Sequence, residues 1–236
     1  MSNPSKQETK FSNTPSEDGG MQISLQQTGK RFNRDWIFRK LEYTFQSGKS
    51  YAITGPNGSG KSTLLQVIGG STNQSEGTVE YSIINKKTNQ HQTPNTKQSI
   101  STDEIYQHIS IVAPYMEVIE EMSATEFLQF HSSFKNLTHP IDEILSIIGL
   151  EKAADKQIRY YSSGMKQRIK LAQAIFVDAP ILLLDEPCTN LDKTGYDLYH
   201  QLIENFCSNK LVIVSSNDEM EMDFCGEKLN ILDWKQ

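Results

Sequence analysis

The stretch from Tyr51 to Leu65, YAITGPNGSGKSTLL, constrains this chain more than any other. Its apolar run Tyr51-Ala52-Ile53 reads as a buried strand. Gly55, Pro56, Asn57, Gly58, Ser59 and Gly60 then turn the chain, and Lys61-Ser62-Thr63 opens a helix predicted to run to about Ile68 and to stop at Gly69-Gly70. This is the pattern G-x-x-x-x-G-K-[ST] between a strand and a helix, the P-loop. Glycines at 55, 58 and 60 let the backbone turn sharply and approach a ligand with no side chain in the way. Successive N–H groups then form an anion nest at the positive end of the following helix. Lys61 is placed to reach the β- and γ-phosphates of ATP, Ser62 to put its hydroxyl on Mg²⁺, and Thr63 to support the phosphates.

A second stretch answers the first. Ile181-Leu182-Leu183-Leu184 is a continuous apolar run, as in a parallel strand buried on both faces, and it ends in Asp185-Glu186-Pro187. A carboxylate at the end of such a strand suits a second magnesium contact, so Asp185 pairs with Ser62 as the predicted metal site. Glu186, next to it, is placed to polarise an attacking water.

Composition sets limits. The formal net charge is −6, from 29 acidic and 23 basic residues, which argues against a general nucleic-acid binder. Cys188, Cys207 and Cys225 are far apart and odd in number, and fit neither a disulfide framework nor a metal pattern. They read as free thiols of a reducing compartment. No run approaches the ~18 apolar residues of a membrane span, and no secretory signal is visible at the N-terminus.

Residues 1 to about 20 are Ser, Asn, Pro and charge, and are expected to be a disordered tail. From Met21 the chain alternates, predicting two antiparallel strands over 22–32 and 36–45 around a turn at Asn33-Arg34-Asp35. A strand is expected over 77–84, a mobile polar loop over 85–104 and a strand over 105–114. Ser123-Ala124-Thr125-Glu126 is a capping box, opening a helix with Phe127, Leu128, His131 and Phe134 on one face. His131 there reads as a packed or half-exposed side chain rather than a ligand. Pro140, Asp142 and Glu143 start a further amphipathic helix, which Gly149 ends. After Tyr161 comes another helix, then the acid-ended strand, a turn at Thr189-Asn190-Leu191-Asp192, a helix over 193–207, a buried strand over 211–214 and a last strand over 228–232.

The order P-loop, helical insert, YSSGMKQR, ILLLDEP and TNLD resembles the ABC-type ATPase domain, the nucleotide-binding subunit of ABC transporters, over about residues 21–234. The resemblance implies an α/β fold: a P-loop NTPase core with a mainly parallel sheet, an antiparallel β subdomain and a helical subdomain inserted over about 115–160. It places Tyr161 to Met165 at the family's LSGGQ signature, with Ser162 and Gly164 kept. It implies that these two grip the nucleotide of a second cassette, identical or different, in a head-to-tail dimer, across which Thr189 to Asp192 resembles the D-loop. Phe32 resembles the family's adenine-stacking aromatic, with Trp36 as a rival. Two positions depart from the family: Tyr115 where a glutamine is usual, and Asn217 where the switch histidine is usual. Asn217 offers the γ-phosphate only a neutral amide donor. The nucleotide is still expected to bind, and hydrolysis to persist but slowly.

The resemblance implies a cytoplasmic ATPase subunit at the inner face of the cell membrane, touching the membrane only through a separate transmembrane transporter subunit. The alternative is a regulatory switch that binds ATP and dimerises but scarcely hydrolyses it, which Tyr115 and Asn217 motivate.

Overall fold

The computed structural model describes residues 20–85 and 96–235. Two sheets are packed face to face. The first is antiparallel, in the order β2 (Asp35–Gln46), β1 (Gly20–Phe32), β4 (Glu76–Asn85), β5 (Thr96–Ile100). The second is parallel, in the order β6 (Ile109–Val112), β7 (Ile181–Asp185), β8 (Leu211–Ser215), β3 (Ser50–Thr54), β9 (Glu227–Asn230).

The apolar runs explain the parallel sheet, because both of its faces are covered. Ile181 and Leu183 of β7, with Leu211 and Ile213 of β8, point toward the antiparallel sheet. There they meet Ile23, Leu25, Phe38 and Phe45. Leu182 and Leu184, with Val212 and Val214, point the other way, into a core shared with the helices. Helix α1 (Lys61–Ile68) buries Leu64, Leu65, Val67 and Ile68 between the sheets. Each such side chain, fully buried, contributes about 1.5–3 kcal/mol.

Helices α2 (Ala124–Ser132) and α3 (Ile141–Ile147) lie between β6 and β7 in the chain. The capping box is present: Ser123 Oγ accepts from the Glu126 N–H, and Glu126 accepts from the Ser123 N–H. Helix α4 (Ser163–Ile175) leads to β7, α5 (Lys193–Phe206) to β8, and the short α6 (Glu219–Met222) to β9. Pro140 sits one residue earlier than expected, as the residue preceding α3.

Four sequence expectations are corrected. Thr96–Ile100, expected as loop, is β5, an edge strand whose polar residues 97–99 are exposed, so it carries no apolar alternation. Ile105–His108 is a 3₁₀ turn, and the strand begins only at Ile109. Phe134 does not share the buried face of Phe127 and Leu128; it lies past the end of α2, exposed, against Phe130. The last strand ends at Asn230, and Ile231–Trp234 turns as a 3₁₀ segment. The expected N-terminal tail and residues 86–95 of the polar loop lie outside the described residues.

Candidate functional site

Strand register brings the two motifs together. Ser215 of β8 pairs with Ile53 on one side and Asp185 on the other. The end of β3 and the end of β7 therefore stand level, two strand spacings or roughly 10 Å apart. The loop leaving β3 and the helix it feeds cover that gap. Ser62 Oγ meets Asp185 Oδ1 at 3.0 Å.

The P-loop itself is tightly built. Gly60 precedes α1 at φ +106°, and a Cβ there would lie 2.2 Å from Ile37 Cγ2, so the β1–β2 hairpin closes onto the loop at a place only glycine fits. Ser59 N–H donates to Pro56 O at 3.1 Å. Lys61 is buried, and its Nζ donates to Gly55 O at 2.8 Å and Pro56 O at 3.3 Å. Its ammonium thus lies across the loop. The Ser59 hydroxyl is buried with no hydrogen-bond partner. A buried, unpaired hydroxyl inside a turn of backbone N–H groups is what a phosphate-binding cradle leaves to be satisfied. Pro56, Asn57 and Gly58 are exposed at the loop's tip.

Two hard oxygen donors, Ser62 Oγ and the Asp185 carboxylate, face each other at the edge of this cradle. That donor set fits a magnesium ion, which takes one or two protein oxygens and keeps the rest of its shell for phosphate and water. Asp185 is 3% exposed, and the Ser62 hydroxyl is the side-chain partner that offsets part of its burial.

Glu186 stands beside a cleft of about 280 Å³ lined by Asn57, Thr189, Asn217, Asp218 and Glu221 among others. Its backbone is left-handed, φ +44°, a conformation that costs a non-glycine residue roughly 1 kcal/mol or more. Three hydrogen bonds hold it there. Its N–H donates to Ser215 O at 2.9 Å, and its carbonyl accepts from the Thr189 N–H at 3.2 Å and Thr189 Oγ1 at 2.9 Å. Asn217 donates from Nδ2 to Asn57 Oδ1 at 3.2 Å, so the position expected to be the switch is joined to the P-loop.

Ser162 and Gly164 find their partners elsewhere. Ser162 caps α4, its Oγ accepting from the Met165 N–H at 3.2 Å, and is exposed. A Cβ on Gly164 would lie 3.4 Å from Asn190 O, so this segment packs on the turn after Glu186. Tyr115, past the end of β6, is exposed. Phe32, at the end of β1, is 49% exposed rather than part of the core, with Lys30 Nζ 5.0 Å from its ring centre. Trp36 is covered by guanidinium groups instead, Arg39 at 4.3 Å and Arg31 at 5.5 Å.

Two buried polar residues not among the predicted site residues, Gln167 within YSSGMKQR and Glu221, reach the chain just after Glu186. Burial pushes the Glu221 carboxyl above the usual range, with Asp218 and Glu186 adding negative charge, while Ser216 and the Cys188 N–H oppose the shift. The three cysteines are free and buried, and burial pushes the Cys207 and Cys225 thiols up to about 12.

A P-loop between a parallel strand and a helix, with an acid-ended strand one place removed in the same sheet, defines a P-loop nucleotide hydrolase core. The ABC transporter family model matches residues 38–189, and the chain belongs to that family as an ATP-binding cassette. It is 30% identical over 206 residues to an uncharacterized ABC transporter ATP-binding protein of Bacillus subtilis, YybJ, covering 86% of this chain and 88% of that one. Four further Bacillus subtilis relatives are longer, and the aligned segment spans 55%, 66%, 64% and 53% of them. The fold matches that of a putative ABC transporter ATP-binding protein from Pyrococcus furiosus, with TM-score 0.73 and 20% identity over 91% of this chain and all of that one. It also matches a bacterial ABC transporter cassette solved as a dimer, with TM-score 0.69 and 22% identity over 89% of this chain and 94% of that one. Among the described residues no helix is long and apolar enough to cross a membrane.

Proposed function

We propose that this cassette hydrolyses ATP to ADP and phosphate as one half of a dimer, and so drives a separate transmembrane transporter subunit from the cytoplasmic face of the membrane. The carrying observation is the Ser62–Asp185 contact at the rim of the P-loop cradle. It joins the two motifs that nucleotide hydrolysis needs.

In this reading the loop from Gly55 to Gly60, through its backbone N–H groups other than at Pro56, which has none, binds the triphosphate with Lys61 and Thr63, and Phe32 stacks on the base. Lys61 neutralises charge on the phosphates as the bond to the leaving oxygen breaks. Ser62 and Asp185 hold magnesium, which when bound offsets negative charge on the phosphate oxygens. Glu186 accepts a hydrogen bond from the attacking water and orients it. Ser162 and Gly164 complete the pocket of a second cassette, consistent with the exposure of Ser162. Residues 21–236 act as one cassette, with the helices of about 115–160 passing closure to the transmembrane partner.

Hydrolysis is slow in this reading, because Asn217 lacks the charge of a histidine and Tyr115 replaces an amide. The test is phosphate release by the purified chain at millimolar MgATP, with Lys61→Ala as blank. Release above the blank supports the ATPase. Tight ATP binding with no release, alone or with any membrane partner, favours the second reading, a nucleotide-gated regulatory switch.

A further inference from the structure

The peptide group joining Pro187 to Cys188 is held at both ends by buried side chains. Gln167 donates from Nε2 to the Pro187 carbonyl at 2.6 Å. The Cys188 N–H donates to Glu221 Oε1 at 2.8 Å. Carbonyl and N–H belong to one rigid amide plane, so holding both fixes its position and its tilt. Gln167 is 5% exposed and Glu221 4%, so neither can exchange its partner freely for water.

The two holders come from different places. Gln167 belongs to α4, the helix that Ser162 caps. Glu221 belongs to α6, which follows Asn217, and is itself anchored where Tyr199 Oη donates to its carbonyl at 2.9 Å. Between them lies the chain directly after Glu186, whose left-handed backbone must be over-determined by its surroundings to persist.

We infer that Gln167 and Glu221 are positioning residues for ATP hydrolysis: by clamping the Pro187–Cys188 peptide between α4 and α6 they aim the Glu186 carboxylate. The inference rests on the proposed role of Glu186. It also gives a physical route by which a shift of α4 reaches that carboxylate, through one hydrogen bond and one peptide plane. Burying an amide and a carboxyl costs free energy that apolar residues of the same size avoid. A purely space-filling role is therefore met by methionine or leucine at both positions.

The experiment uses the full chain with MgATP. Single-turnover phosphate release gives the rate, titration with a fluorescent ATP analogue gives affinity, and thermal melting reports folding. Gln167→Met and Glu221→Leu are expected to lower the rate about 10- to 100-fold, the scale on which small misplacements act, with affinity changed by no more than about twofold. Glu221→Gln keeps a carbonyl oxygen for the Cys188 N–H and is expected to stay within about threefold of wild type. A wild-type rate in Gln167→Met overturns the inference, as does a loss in Glu221→Gln equal to that in Glu221→Leu. Should Glu221→Leu not fold, Gln167→Met and Glu221→Gln decide alone. Glu186→Gln separates the two levels: if its rate collapses while Gln167→Met stays active, only the clamp fails. If Glu186→Gln is itself unimpaired, the role of Glu186 and the clamp fall together.

Discussion

Asn217 and Asn57, 160 residues apart in the chain, are joined by a hydrogen bond from one side-chain amide to the other at 3.2 Å. The first stands after β8 and the second at the tip of the P-loop. Both are exposed and line the cleft beside Glu186. A neutral amide here can donate or accept but cannot carry charge. Replacing it with a residue that can be charged strengthens any bond it makes to a phosphate oxygen. Asn217→His is therefore expected to raise kcat about tenfold, since putting the charge on the donor roughly doubles the strength of its bond to a phosphate oxygen, a gain on the order of 1.5 kcal/mol. Phosphate release at saturating MgATP, from pH 6 to 8, measures it. An unchanged rate at every pH removes position 217 from the hydrolytic step.

Glu186→Gln keeps the size of the side chain and the hydrogen bonds of its backbone, and removes only the carboxylate charge. Loss of hydrolysis with retention of ATP is the expected result. The exposed Ser162, with the half-buried Gly164 that packs on the chain's own Asn190, is then expected to hold the nucleotide of a second copy. Light scattering with MgATP should show a dimer that dissociates when ATP is removed. A strictly monomeric variant in millimolar MgATP counts against the sandwich arrangement.

The parts of this molecule that were legible in the sequence are those whose cause is local. Lys61–Ile68 is a helix because a glycine-rich turn precedes it and Gly69-Gly70 follows, and its bounds agree with the expectation. Ser123 and Glu126 announce α2 because both partners of the capping box lie within one turn. Ile181–Asp185 and Leu211–Ser215 are plain as strands because both faces are buried. Thr96–Ile100 is not legible for the opposite reason: it is an edge strand, held by backbone pairing to β4, and its composition is that of a loop. Phe134 departs from the expected face because α2 ends at Ser132, so helical spacing no longer governs it. Gln167 lies within YSSGMKQR, but nothing local says what it holds, and Glu221 has no local signature. Their meaning depends on where Pro187 and Cys188 lie in space, 20 and 33 residues away in the chain.

Phe32 and Trp36 differ in what already covers them. The Trp36 ring has guanidinium groups over it, whereas half of Phe32 is open. Stacking of a base on an aromatic side chain is worth about 1–3 kcal/mol by alanine substitution. Phe32→Ala is expected to raise the Kd for ATP by at least about fivefold, the lower end of that range. Trp36→Ala should change it less. Titration with ATP and with inorganic triphosphate tells them apart, because a stacking residue affects only the ligand that has a base. If Trp36→Ala is the more damaging, the rival assignment is right.

Glu221 makes stability depend on pH in a direction opposite to that of an ordinary salt-bridged carboxylate. Its carboxyl is raised above the usual carboxylate range, first by burial and then by the nearby charges of Asp218 and Glu186. The folded chain therefore holds this proton more tightly than the unfolded chain does. In the window between the ordinary carboxylate value and the raised one, stability falls as pH rises, because folding there requires keeping a proton that the solvent is withdrawing. Above that window the ionised group carries a constant burial cost. Glu221→Gln removes the ionisation and keeps an oxygen for the Cys188 N–H, and the Ser216 hydroxyl can turn to accept from the new amide. The variant should melt above wild type at pH 8, with the gap closing as pH drops toward the ordinary carboxylate value. For a chain of this size each kcal/mol moves Tm by about 2–4 °C, so the trend is readable by calorimetry. A variant that melts below wild type at pH 8 shows instead that the ionised carboxylate is net stabilising where it lies, and that its bond to the Cys188 N–H outweighs its burial.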